Sequence, residues 1–157
     1  MNESNAEIDH KALKTWYTEL LYTVVREMIK VGAVDGAAAE ARPVWISPHN
    51  ILIAKVWEAT QKSKFIWTIS GEKAITDHIA GSMASTPRDA ARHFSLKWQM
   101  DADRLLEVAS TKTQVENALE HMQAYTDKLI QLAESLYALT ERDEVWKNQP
   151  MNKPVES

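Results

Sequence analysis

The residues best suited to chemistry follow an apolar run in the segment FIWTISGEKAITDHI, residues 65 to 79. The run breaks at Gly71, and Glu72, Asp77 and His78 come shortly after the break. A carboxylate beside an imidazole can act as an acid/base pair, and the backbone N–H groups that open a helical turn can hold an anion. The segment is therefore a candidate active or binding site.

The same segment has a structural interpretation, which its pattern favours. Gly71 lets the chain leave a strand, Ser70 and Glu72 cap a short helical turn that ends at Gly81, and the Asp and His face water. Under this interpretation, chemistry requires a pocket opposite the polar side chains.

A second candidate is Asp101, which lies on the apolar stripe of the helix predicted from residue 86 onward. Burying a carboxylate without a partner costs several kcal/mol, so this side chain needs one. Lys97 and Arg104 lie within reach on the same helix. We expect a structural ion pair here, with a catalytic carboxylate as the alternative.

A further apolar patch lies on the same helix, on the side away from the main stripe. It consists of His93, Leu96 and Met100. A helix that is apolar on two faces either lies between two layers or presents one face to a partner. Both interpretations stay open, and the second makes these residues a candidate protein interface.

Tryptophan is unusually frequent in the chain. The six residues are Trp16, Trp45, Trp57, Trp67, Trp98 and Trp146. Trp gathers in cores, pockets and interfaces, and in a chain of this size the core is favoured. The alternative is a small-molecule pocket between the sheet and the second helix. The candidate ligand-binding residues are then Trp57, Trp67, Glu72, Asp77, His78, Trp98 and Asp101.

Composition and motifs disfavour several classes of protein. With no cysteine, the chain has no disulfide, thiolate metal site or thiol nucleophile. It also lacks a phosphate-binding loop and a paired-histidine zinc motif, so we expect no cofactor and no metal ion. A net charge of −4 disfavours nucleic-acid binding. With neither a leader pattern nor a long apolar run, the sequence predicts a cytoplasmic protein that does not enter a membrane.

Hydrophobic spacing predicts a first helix over residues 8–31, and Gly32 ends it. Runs rich in Val, Ile and Trp predict strands at 44–46, 51–59 and 64–69, which could form an antiparallel meander. The alanine-rich stretch before the first strand is interpreted as a connector.

Thr86, Pro87 and Asp89 are the start signals of a second helix that runs to about Ala109. A third helix follows a Thr113 cap and carries four heptads. Their apolar positions are Val115, Ala118, Met122, Tyr125, Leu129, Leu132, Leu136 and Leu139. We expect this helix to pack within the protein, and a homodimer through it is the alternative.

These elements predict one α+β domain over residues 1–157, with a small antiparallel sheet of about three strands packed on three long amphipathic helices. Residues 1–6 and 147–157 have little to bury and are expected to be mobile tails.

The runs WTISGEKAITDHI and STPRDAARHFSLKWQ resemble a family of small bacterial proteins known only as a domain of unknown function. The resemblance covers about residues 44–105. It implies a bacterial, cytosolic, single-domain protein, and it supplies no activity to transfer to any residue.

For function we expect a non-enzymatic protein that acts through protein contacts, either as a homodimer or larger homo-oligomer, or as an adaptor or neutralising partner. The second hypothesis is a small-molecule binder that uses the Trp-lined pocket. The third is a small hydrolase-like enzyme that uses Asp77 with His78, or Asp101.

Overall fold

The computed structural model describes residues 2–36, 38–111 and 116–147. Its elements in chain order are α1 (Asn2–Lys30), β1 (Ala39–Ser47), β2 (Ile51–Glu58), β3 (Ile66–Ser70), β4 (Asp77–Ala80), α2 (Pro87–Thr111) and α3 (Glu116–Thr140). The strands form an antiparallel meander in sequence order. The predicted α+β fold with three long helices is confirmed, and its sheet has four strands.

The sheet lies between two helical layers, because both of its faces are apolar. Successive side chains of a strand point to opposite faces, so β2 contributes to both layers. Leu52 and Ala54 pack against α1 on one face. Ile53 and its neighbour Ile69 pack against α2 and α3 on the other. The main core therefore lies between the sheet and the hairpin formed by α2 and α3.

The buried seam of α3 agrees in part with the predicted heptads. Leu129, Leu132 and Leu136 are buried, whereas Tyr125 is exposed. Three small residues on the same side of the helix are buried and let α2 approach closely: Thr126, Ala133 and Thr140. The hydroxyl of Ser95 on α2 donates to one of their carbonyls at 2.8 Å.

Two local predictions are wrong. Residues 39–43, which were expected to belong to the connector, are strand, since β1 begins at Ala39. Pro43 is tolerated there because β1 is an edge strand whose register shifts at this position. The segment predicted to form a helical turn after Gly71 contains β4, in which Asp77 and Ile79 pair with β3.

The two ends of the chain were predicted to be tails, and the structure describes most of the first and little of the second. Helix α1 begins at Asn2, before the predicted start at residue 8. Within the expected C-terminal tail, residues 148–157 lie outside the described residues, and so do Thr113 and Val115.

The segment after α3 folds back on the sheet through Trp146. Its ring stacks on that of Trp45, with centroids 4.1 Å apart. The indole N–H of Trp45 donates to the Val145 carbonyl at 2.8 Å, and that of Trp146 donates to the Leu139 carbonyl at 2.8 Å. These bonds attach the end of α3 to β1.

Gly71 occupies the point where the end of β3 passes the turn between β1 and β2. Its φ is +134°. A Cβ at this position would lie 2.2 Å from the carbonyl oxygen of Asn50. Because that atom belongs to the backbone, only glycine fits here without moving the chain.

We expect Gly71→Ala to lower the free energy of unfolding by roughly 3 kcal/mol or more, because a backbone clash adds to conformational strain. Gly32→Ala is the matched control, since Gly32 has a φ of +78° but no atom within 4 Å of the added Cβ. Strain alone should cost the control about 1 kcal/mol. Urea denaturation measures both, and equal losses would contradict the proposed clash.

Candidate functional site

Asp77 joins the last strand to α2. It is the first residue of β4 and lies opposite Ile69, on the face of the sheet that α2 covers. Its Oδ1 accepts from Lys97 Nζ at 2.7 Å, and its Oδ2 accepts from the Trp98 indole N–H at 3.0 Å. The side chain is 18% exposed. The interpretation in which Asp77 faces water is therefore wrong, because the carboxylate packs against the helix.

His78 pairs with Thr68 on the opposite face of the sheet, since neighbouring residues of a strand alternate. Only its backbone contacts the residues around Asp77. The His78 N–H donates to Asp77 Oδ1 at 2.8 Å, and the His78 carbonyl accepts from Lys97 at 3.3 Å. The two side chains do not form the acid/base pair considered from the sequence.

The loop between β3 and β4 is held by its hydroxyl groups. Ser70 and Thr76 share a hydrogen bond of 2.6 Å, which closes the loop across its base. The backbone N–H of Lys73 donates to the Asn50 carbonyl at 3.0 Å. Glu72 is exposed at the tip. These contacts give the loop an architectural role.

Trp67 and Trp98 fill the space between the sheet and α2, and each is 1% exposed. The indole N–H of Trp67 donates to the carbonyls of Gly81 and Ala84, at 3.1 Å each. Trp57 lies farther along the same face and is half-buried. Two of the proposed lining residues, Trp67 and Trp98, thus fill the volume that a pocket between the sheet and α2 would need.

Asp101 lies at the margin of the core. Its expected partner Lys97 is bound to Asp77 instead. Asp101 lines a surface cleft of about 320 Å³ with Arg104 and residues of the apolar patch. Among the described residues, no hydrogen bond or ion pair joins Asp101 to Asp77 or His78.

The three predicted interface residues do lie together. His93, Leu96 and Met100 line this cleft, and Met83, from the turn after β4, joins them. The exposed fractions are 54% for Leu96, 53% for Met100 and 49% for Met83. The second apolar patch of α2 thus faces outward. We call this surface the α2 face and define it as Met83, His93, Leu96, Lys97, Met100 and Arg104.

Sequence reasoning misses residues whose position depends on the path of the chain. Met83 reaches the α2 face only because β4 turns back toward that helix. The sequence does carry a signal for Lys55, since it is the single charged residue within the run ILIAKVW of β2. Helical spacing by itself pairs Lys97 with Asp101 and carries no sign of Asp77.

The described part of the chain contains neither a cluster of metal-binding side chains nor a membrane-spanning helix. In residues 2–36, 38–111 and 116–147, no three His, Asp or Glu side chains are grouped so that they could hold a metal ion. Within the same ranges, no helix combines the length and apolar character needed to cross a bilayer.

A polar cluster joins the start of α2 to the end of α3. Arg88 donates from Nε to the Thr140 carbonyl at 2.7 Å and from Nη2 to Asp143 at 2.8 Å. This hydrogen bond and the charge of Arg88 lower the pKa of the Asp143 carboxyl below its usual value. A cleft of about 460 Å³, lined by Thr86 and Trp146 among others, lies beside the cluster.

Fold and sites together define an α+β protein in which an antiparallel sheet separates one long helix from a helical hairpin. A family model described as a domain of unknown function, DUF4826, matches residues 11–146. The chain belongs to this family, so the resemblance noted over residues 44–105 is confirmed over a longer stretch. No curated protein and no solved structure matches the chain.

We expect Asp77→Ala to lower the free energy of unfolding by roughly 2–3 kcal/mol. The substitution leaves the Trp98 indole N–H without an acceptor in the core and removes a charge-assisted hydrogen bond. The control is Asp101→Ala, at a position on α2 one helical turn after Lys97. It should change the free energy of unfolding by no more than about 0.5 kcal/mol. Chemical denaturation compares the two variants. Similar losses of unfolding free energy would show that the Asp77 carboxylate does not hold β4 to α2.

The Arg88–Asp143 pair predicts a pH-dependent contribution to stability. Because the folded-state pKa of Asp143 is depressed, the contribution is present above pH about 4 and is lost as the pH falls through the folded-state value. The difference in unfolding free energy between wild type and Asp143→Asn should therefore vanish toward pH 2. A difference that stays constant with pH would contradict the ion pair.

Proposed function

We propose that this protein is a non-enzymatic protein-binding module, and that it associates with a second copy of itself through the α2 face. The observation that carries the proposal is the exposure of Leu96 and Met100 on one face of a long helix. The opposite face of α2 is already buried through Phe94 and Trp98. Covering the remaining apolar side chains removes them from water, which favours association.

The neighbouring strand edge is a poor surface for association. An edge strand invites pairing through its free N–H and C=O groups. In β4, however, the His78 N–H is bonded to Asp77 and the His78 carbonyl to Lys97. These bonds compete with strand addition, so the helix face is favoured.

The charge pattern of α2 is complementary to itself about Met100. Lys97 and Asp103 lie three residues on either side, and His93 and Glu107 lie seven on either side. When two α2 helices pack antiparallel about a two-fold axis through residue 100, position 97 faces 103 and position 93 faces 107. Each of these pairs joins a basic with an acidic side chain.

The centre of the same arrangement is apolar. Met100 packs on Met100 of the second copy, and Leu96 lies under the aliphatic stem of Arg104, four residues beyond the axis. An apolar centre with a charged rim is the usual anatomy of a protein interface. This self-complementarity favours a second copy over an unrelated partner.

The small extent of the α2 face limits the affinity. Few apolar side chains contribute, so the interface lies at the low end of the sizes seen for specific complexes. We expect a dissociation constant of roughly 10 µM to 1 mM, which makes association depend on protein concentration.

The alternatives receive less support from the geometry. Both oxygens of Asp77 are occupied by α2, and His78 points to the other face of the sheet, which disfavours an acid/base mechanism. The rings of Trp67 and Trp98 occupy the volume that a small-molecule pocket between sheet and helix would need.

We expect Met100→Glu to abolish self-association, because Met100 lies on the two-fold axis and the substitution places two like charges against each other at the centre of the interface. Light scattering over a wide concentration range measures the effect. Tyr125→Glu on α3 is the matched control, since Tyr125 is 51% exposed and lies outside the α2 face. A wild-type protein that stays monomeric at the highest concentration, or a Met100→Glu variant that still dimerises, would contradict the proposal.

Charge reversal tests the antiparallel arrangement itself. Glu107→Lys places two basic groups opposite each other and should weaken the dimer by roughly 3- to 10-fold. Adding His93→Glu recreates an opposite-charge pair and should restore affinity. If the double variant is weaker than the single one, the helices do not pair about Met100.

A further inference from the structure

A second surface, on the face of the sheet that carries Trp67, has a different chemistry from the α2 face. Arg42, Lys55 and Trp67 lie side by side across β1, β2 and β3, because their positions are paired in register. Arg42 and Lys55 are both half-buried. Two cations thus occupy directly opposed positions of neighbouring strands, an arrangement that destabilises a sheet when nothing neutralises it.

Aromatic rings hold the ammonium group of Lys55. Its Nζ lies 4.4 Å from the centroid of Phe65 and 4.9 Å from that of Trp67. A cation over ring faces is attracted to them, but the rings supply no negative charge. Burial lowers the pKa of Lys55, and the charge of Arg42 lowers it further. The surroundings of Lys55 therefore disfavour its charged form.

Counter-charge is missing from this pair within the residues that the structure describes. Glu40 lies on the same face, two residues before Arg42 and opposite Trp57. Neither cation forms an ion pair with it, or with any other carboxylate in the described ranges. The ion pairs of the described residues join other cations to other acids.

The next row of the same face adds an unused hydrogen-bond donor. The indole N–H of Trp57 is buried and has no acceptor among the described residues. Phe65, which contacts Lys55, also borders a surface cleft of about 470 Å³ that Lys64 and Ser82 line. The surface thus combines one unused buried donor with two unneutralised cations.

We propose that Arg42 and Lys55 bind the oxyanion of a small ligand, a carboxylate or a phosphate group, on this face of the sheet. The fork of Arg42 matches the geometry of two oxygens, and Lys55 supplies a second charge from the neighbouring strand. The bound anion removes the repulsion between the two cations and so stabilises the sheet at this end. The site is separate from the α2 face, and it does not depend on self-association.

The experiment titrates the protein with inorganic phosphate and, separately, with citrate, at an ionic strength kept constant with sodium chloride. The ¹³Cε resonance of Lys55 reports the ammonium, and tryptophan fluorescence gives a second signal. Binding should raise the pKa of Lys55 and saturate. A response to phosphate assigns a phosphate ligand, a response to citrate assigns a carboxylate ligand, and either result supports the site.

Variants connect the response to the two cations. Arg42→Gln should weaken anion binding at least 10-fold, and Arg42→Lys should retain part of it. Lys128→Met, which removes an exposed lysine of α3, is the matched control and should bind as wild type does. Circular dichroism verifies that each variant is folded. The proposal is overturned if neither anion acts beyond chloride, or if Arg42→Gln binds as tightly as the Lys128→Met control.

Discussion

The carboxylate of Asp77 is the contact on which the arrangement of sheet and hairpin depends. A charge with so little exposure must be neutralised and hydrogen-bonded, and both requirements are met by consecutive residues of one helix, Lys97 and Trp98. These bonds fix the rotation of α2 about its own axis. Trp98 enters the core, and Leu96 and Met100 consequently face solvent. The same carboxylate binds the backbone of His78, so one side chain positions the helix and closes the strand edge.

Tryptophans complete this construction, because each large ring carries a donor that needs an acceptor when buried. In Trp45, Trp67 and Trp146 the acceptor is a backbone carbonyl of a turn or a helix end. The rings thereby attach irregular segments to the sheet. Trp57 lacks such an acceptor among the described residues. It lies beside the unneutralised cations, where the face of the sheet differs most from a packed core.

Two surfaces of the described residues carry groups without a suitable partner, and the groups differ between the two surfaces. The α2 face has apolar side chains in water and a charge pattern that complements itself, which favours another copy of the helix. The sheet face around Lys55 has cations and a donor without acceptors, which favours an anion. Membership of a family of unknown function decides between neither, so each surface is argued from its own chemistry.

Much of the fold follows from local patterns. The start of α2 at Pro87 and the apolar strand runs need only neighbours in sequence, because capping and alternation act over a few residues. Sequence reasoning also recognises the patch of His93, Leu96 and Met100 as a second face. It does not find β4, since that strand is four residues long and forms only by pairing with β3.

The candidate site shows the same division. The sequence by itself determined that Asp77, His78 and Asp101 are polar groups near apolar elements, and that Gly71 ends a strand. Only the tertiary structure decided that Lys97 binds Asp77 rather than Asp101, that His78 points to the opposite face, and that a backbone carbonyl leaves no room at Gly71. The reason is physical. Helical spacing brings Lys97 near Asp101 in any isolated helix, whereas the stronger partner lies on a strand 20 residues away in sequence and becomes available only when sheet and helix have packed.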